Sequence, residues 1–159
     1  MILEVKKLNV AIYVDADACP VKPETLKVAS RHKIEVYIVS NGGIRPSTNP
    51  TVKTIIVNAG PDAADNWIFK NVKKGDIVIT SDIPLSSQAI NIGANVISPY
   101  GEVLGTHNIG AKIATRNLMF ELRSANPFQK EKGKEFRKTD RIRYVNALEK
   151  LIQTIKKSL

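Results

Sequence analysis

The chain has 159 residues, 43% hydrophobic and 25% charged, the balance of a globular protein with one core, and no apolar run approaches the roughly 20 residues that cross a bilayer. Lys and Arg number 24 against 15 Asp and Glu, a formal +9 that favours phosphate-rich partners through counterion release. The lone Cys19 excludes an internal disulfide, no paired spacing suggests zinc, and no cleavage signal follows the opening MILEVKK, so a cytoplasmic protein is expected.

Alternation and β-branching predict strands at 9–14, 34–39, 52–57, 76–80 and 95–97. Helices are expected between most of them. The first opens near Pro20 and runs through Val21, Leu26, Val28 and Ala29 to the basic Arg31, His32 and Lys33, with His32 complementing the helix dipole. The second starts at Pro61, carries Ala64, Ile68 and Val72 on one stripe, and stops at Gly75. A third runs from Pro84 to Gly93. Residues 40–50, SNGGIRPSTNP, hold too much glycine and proline for a helix and read as a loop. Residues 98–105 read as a turn or short hairpin. Thr106 is placed to cap a helix reaching about Arg123. Residues 124–139 form a basic linker. From Asp140 a last helix presents Ile142, Val145, Leu148, Ile152 and Ile155 on one face.

Strands alternating with helices predict one α/β domain with a mainly parallel sheet flanked by helices. The core is expected over about 1–98, and extra C-terminal helices form a basic part over about 99–159. Arg116, Arg123, Lys130, Lys132, Lys134, Arg137, Lys138, Arg141 and Arg143 crowd that part; they suit either a solvated face or phosphate contact.

In a parallel sheet the carboxyl ends of all strands share one edge, and side chains in the loops leaving them meet there. Asp15 and Asp17 leave the first strand, Asp62 and Asp65 follow the third, and Asp82 follows the fourth. Each alone is explained as a cap or turn residue. Together they would repel and raise one another's pKa unless a proton or cation relieved them, and carboxylates suit Mg²⁺ or Mn²⁺. Cys19 reads as an inert core thiol, Trp67 as core, and Gly42-Gly43 lacks the pattern of a dinucleotide site.

The segments VDADACPVK, AADNWI, GDIVITSDIPL, GANVISPYGEV and TDRIRYVNALEKL resemble, in order and spacing, the bacterial YaiI/YqxD family. That family looks like a branch of the PIN-like nuclease superfamily, three-layered and Rossmann-like, with Mg²⁺ or Mn²⁺ held by acids at the sheet edge. The resemblance implies that Asp15, Asp65 and Asp82 are catalytic and hold the metal with Asp17, which belongs to the family's DAD signature. Asp62 is the weakest assignment. Ser81 or Thr80 would orient water or phosphate, and Arg116, Arg123, Arg141 and Arg143 would seat a nucleic-acid backbone, RNA favoured over DNA. Glu135 stands ahead of Phe136 where the family has proline, which leaves the linker's path open, as is the question of homo-oligomers. Two rivals remain. One is a haloacid-dehalogenase-like phosphatase with Asp15 as nucleophile, Asp17 as general acid and Thr80 in support, although Ala18-Cys19-Pro20 departs from its motif. The other is a non-catalytic RNA-binding or regulatory module.

Overall fold

Strands form where β-branched residues alternate, and end where aspartate, glycine or proline interrupts the pattern. The computed structural model describes residues 8–58, 60, 62–126 and 135–158. It places β1 at Ala11–Asp15, β2 at Glu35–Ser40, β3 at Val52–Ile56, β4 at Ile77–Ile79, β5 at Asn95–Ile97 and β6 at Val103–Leu104. The α-helices are α1 Lys22–His32, α2 Ala63–Asn71, α3 Ile83–Asn91, α4 Ile109–Ala125 and α5 Lys138–Lys157. The sheet order is β3-β2-β1-β4-β5-β6. All neighbours run parallel except β6, which returns antiparallel along β5. The α/β architecture and its five parallel strands are those expected, and the hairpin after residue 98 supplies the sixth.

Because side chains alternate along a strand, each strand feeds two cores. Ile12, Val14, Ile77, Ile79 and Ile97 face α1 and α5, where Val28, Tyr144, Leu148 and Ile152 cover them. Tyr13, Val78 and Val96 face the other way, under Ala64 and Ile68 of α2 and Leu85 and Ala89 of α3. Each such side chain, fully buried, contributes on the order of 1.5–3 kcal/mol.

Four details differ from expectation. Helix α1 starts at Lys22 with Pro23, not Pro20, in its first turn, because a 3-10 turn at Ala16–Ala18 first consumes the chain. Helix α4 is preceded by Asn108 rather than Thr106; the Asn108 side chain folds back to Gly105 N–H and the Val103 carbonyl. Helix α5 starts at Lys138, and Asp140 sits in its first turn, accepting from Arg137 N–H at 2.8 Å. Its buried stripe is Tyr144, Leu148 and Ile152, while Ile142 is 55% exposed. His32 does more than complement a dipole: Nε2 meets the Glu149 carboxylate at 2.8 Å and Nδ1 accepts from Lys156, tying α1 to α5. Pro61, Lys130, Lys132, Lys134 and the middle of the expected linker lie outside the described residues.

Helix α4 is unusual. It has no buried residue, and every position from 114 to 126 is exposed, including Leu118, Met119, Phe120 and Leu122. No described helix is long and apolar enough to cross a membrane.

At the amino edge of the sheet, buried Asp76 accepts from Ala11 N–H at 3.0 Å and from Lys73 N–H at 2.9 Å. Both oxygens thus satisfy backbone donors that would otherwise be stranded. Asp76→Ala should therefore cost about 2 kcal/mol of stability, read by urea denaturation, with any activity at the opposite edge kept. A hollow of about 430 Å³ beside it is walled by Tyr37, Lys33 and Lys73, with Glu35 as the other acid among its described lining residues.

Candidate active site

Asp15 is the last residue of β1 and has the parity of Tyr13, so it points to the face covered by α2 and α3. Thr80 follows β4 with the parity of Val78, and β1 pairs with β4. These two rules bring the side chains together: the Thr80 hydroxyl donates to Asp15 Oδ2 at 2.8 Å. Thr80 Oγ1 also accepts from Asp82 N–H at 3.0 Å. Asp82 caps α3, its Oδ1 accepting from Leu85 N–H at 2.8 Å. Asp65, in the first turn of α2, lies close enough to Asp82 and Asp15 for their charges to raise its carboxyl. Three acids from three separate segments therefore come within electrostatic reach of one another between β1 and β4. From β1 the chain winds outward to β2 and β3, and from β4 it winds the opposite way, so the acids occupy the topological switch point where crevices open in such sheets.

The cluster stores repulsion. Burial holds the Asp15 carboxyl above the usual carboxylate range, the Thr80 hydrogen bond opposes this, and the charges of Asp82 and Asp17 add to the rise. Asp65 is pushed up to about 7, first by burial, then by the charges of Asp82 and Asp15 and by its hydrogen bond to Asp82, with Asp62 adding further. A carboxyl raised that far can take up a proton near neutrality, and protonation there would relieve the repulsion between Asp65 and Asp82. Among the described residues, no group of three or more His, Cys, Asp or Glu side chains is gathered to hold a metal ion. The donors nevertheless have the chemistry a hard cation takes: half-buried, mutually repelling carboxylates.

The remaining candidates fall elsewhere. Asp17 is exposed and accepts from Ser40 Oγ at 2.9 Å and Asn41 N–H at 3.1 Å. It does not cap α1, which is preceded by Val21; it pins the start of the glycine loop, where Gly42 and Gly43 adopt positive φ of 126° and 74°. Asp62 stands before α2 without a side-chain capping bond. Ser81 is exposed and lines a crevice beside Thr80. Arg116 and Arg123 sit on the exposed part of α4. Arg141 donates to the Pro20 carbonyl at 2.7 Å and Glu24 at 2.9 Å and lies over Phe136, so it braces α5 against α1. Arg143 pairs with Asp140 at 3.2 Å. Cys19 is buried, and burial pushes its thiol up, the state of an inert thiol.

Sequence reasoning underweighted Thr80 against Ser81 and missed Ser40. The signal for both is parity at the strand end: Thr80 lies two residues beyond Val78, and Ser40 ends the strand neighbouring β1. The phosphatase alternative needs Asp17 free as a general acid. Its carboxylate is instead spent on Ser40 and Asn41.

A model of the family described as "Uncharacterized BCR, YaiI/YqxD family" matches residues 13–154. A UPF0178 protein of Roseobacter denitrificans is 52% identical over 143 residues, covering 90% of this chain and 95% of that one. Similar proteins from Parvibaculum lavamentivorans, 48% identical over 92% of this chain and 95% of its own, and Rhizobium meliloti, 47% identical over 92% and 99%, span it equally. No solved structure matches.

Proposed function

The chain belongs to the uncharacterized bacterial YaiI/YqxD family, and from its carboxyl edge we propose a metal-dependent hydrolase of phosphodiester bonds, a nuclease that takes Mg²⁺ or Mn²⁺. The observation that carries this reading is the convergence of Asp15, Asp65 and Asp82 at the switch point, with Asp65 pushed up to about 7 by burial and then by the charges of Asp82 and Asp15. A purely structural role leaves that convergence unexplained, since capping α3 needs only Asp82 and capping never requires Asp15 to sit half-buried near two more acids. Likeness to the PIN-like nucleases supports the same reading and favours RNA over DNA, with action in the cytoplasm.

Thr80 holds Asp15 by its hydroxyl and Asp82 by its position, so one side chain fixes the spacing of two acids. Asp65, pushed up to about 7 by burial and by the charges of Asp82 and Asp15, is the acid that would take up a proton near neutrality. Asp17, bonded to Ser40 and Asn41, supports the site by holding the glycine loop and lends its charge to Asp15. When bound, a divalent cation would supply the Lewis acid that lowers the pKa of an attacking water and offsets charge on the phosphate. Arg116, Arg123 and Arg143 would seat a backbone without reading sequence; Arg141 serves mainly as a brace.

The test is direct. Purified protein is incubated with end-labelled single-stranded RNA and DNA, with Mn²⁺, with Mg²⁺ and with EDTA. Cleavage that requires the cation is the expected result, and intact substrate under every condition at stoichiometric protein would overturn the proposal.

A further inference from the structure

Beside the acids, on the face shared with α3, lies a crevice of about 240 Å³ that starts at Thr80 and Ser81. It is smaller than the roughly 300–1,000 Å³ of sites for whole drug-sized ligands, a size for one ring system. Its sides are apolar, Ile83 from α3 and Leu104 from β6, and Tyr100 from the β5–β6 turn adds an aromatic wall. At its rim Lys112 of α4 and Glu102 pair at 2.8 Å. A donor and an acceptor thus stand side by side at the mouth of an apolar slot, the pairing a nucleobase edge presents in reverse.

The aromatic wall is fixed in place. Ser98 Oγ accepts from Tyr100 N–H at 3.3 Å and Glu102 N–H at 3.2 Å, which closes the turn. Gly101 adopts φ of 86°, and a Cβ there would lie 2.9 Å from the Arg143 carbonyl oxygen, so the turn rests directly on the α5 backbone. Phe136 meets the Tyr100 ring edge-on, with centroids 5.2 Å apart, and the Arg141 guanidinium covers Phe136 at 4.9 Å. The brace that removes Arg141 from phosphate contact therefore stiffens Tyr100. A held aromatic ring loses little freedom when a flat ligand stacks on it.

We propose that this crevice, walled by Tyr100, Ile83 and Leu104 and rimmed by the Lys112–Glu102 pair, receives one unpaired nucleobase, that of a nucleotide flanking the bond to be cut. The inference rests on the nuclease reading for its choice of ligand: the crevice is lined by Thr80, whose hydroxyl holds Asp15, so a ring seated there lies one residue from the acid cluster. Base-paired strands cannot enter, because the ring must leave its stack.

The experiment measures binding without cleavage. In EDTA, the full chain is titrated by fluorescence anisotropy with a labelled single-stranded oligoribonucleotide, the same length of abasic ribose-phosphate oligomer, and a duplex. The single strand should bind about tenfold or more tightly than either, as the loss of one stacked base predicts. Tyr100→Ala should erase most of that difference while leaving the abasic oligomer's affinity unchanged. Should that variant fold poorly, the unmodified protein decides the matter: amides at Ser98, Leu104 and Lys112 should shift on adding a nucleoside 5′-monophosphate and stay in place with ribose 5-phosphate. Equal affinity for base-bearing and abasic strands, or a difference that survives Tyr100→Ala, overturns the subsite. Because no metal is present, base discrimination without Mn²⁺-dependent cleavage would refute the hydrolase and keep the subsite, and cleavage without discrimination would do the reverse.

Discussion

Asp15→Asn should lower cation-dependent hydrolysis by a factor of about 10³ while leaving the protein as stable as before, or more so. The substitution keeps the size of the side chain, and its amide oxygen still accepts from the Thr80 hydroxyl, now at 2.8 Å from Asp15 Oδ2. What it removes is one negative charge from a place where burial and two neighbouring carboxylates already oppose that charge. Losing it relieves repulsion on Asp65, since the Asp15 charge is among the causes that raise Asp65. A residue whose removal helps the fold and abolishes the chemistry is kept for the chemistry. Thermal melts and single-turnover cleavage on the same preparation read both halves. Unchanged turnover in the purified variant would sink the assignment of Asp15, and a collapsed melting curve would make the cluster a structural device.

The second large effect is an exchange of a proton for a cation. The Asp65 carboxyl is pushed up to about 7, against about 3.9 for an aspartate in an unfolded chain. Its protonation therefore stabilises the folded state fully below about pH 4, and this contribution is lost as pH rises through 7. A cation bound at Asp65 would have to displace that proton, so the affinity for Mn²⁺ should rise about tenfold per pH unit from pH 5 to 7 and level off above. In melting experiments Mn²⁺ should raise Tm clearly at pH 8 and little at pH 5.5, because stabilisation by a ligand follows its affinity. Asp65→Asn should flatten this dependence. A Tm increment from Mn²⁺ that is the same at both pH values would show that no such proton is displaced.

Much of this arrangement was legible in the sequence. Parallel-sheet topology followed from strands alternating with helices, and that topology alone put Asp15, Asp65 and Asp82 on one edge. Local pattern could not separate Asp17 from Asp15. They lie two residues apart, yet the 3-10 turn at Ala16–Ala18 sends one toward α2 and α3 and the other toward Ser40. Such a turn leaves no periodic trace. Tyr144 was missed on α5 because the apolar residues Ile142 and Val145 suggest a stripe that includes Ile142. The core instead takes Tyr144, whose buried hydroxyl shares a 2.6 Å hydrogen bond with Thr25, and leaves Ile142 outside. The bracing role of Arg141 was equally hidden, since a charged residue among many others gives no sign of which ones the fold occupies.

Helix α4 has a thermodynamic consequence of its own. Beyond residue 113 every described side chain of it is exposed, and a helix of so few turns with no buried face is marginal in water. Opening there costs far less than global unfolding. In native-state hydrogen exchange the amides of residues 118–125 should exchange well ahead of those in β1 and β4, whose side chains form the cores, and urea too dilute to unfold the sheet should barely alter their rates.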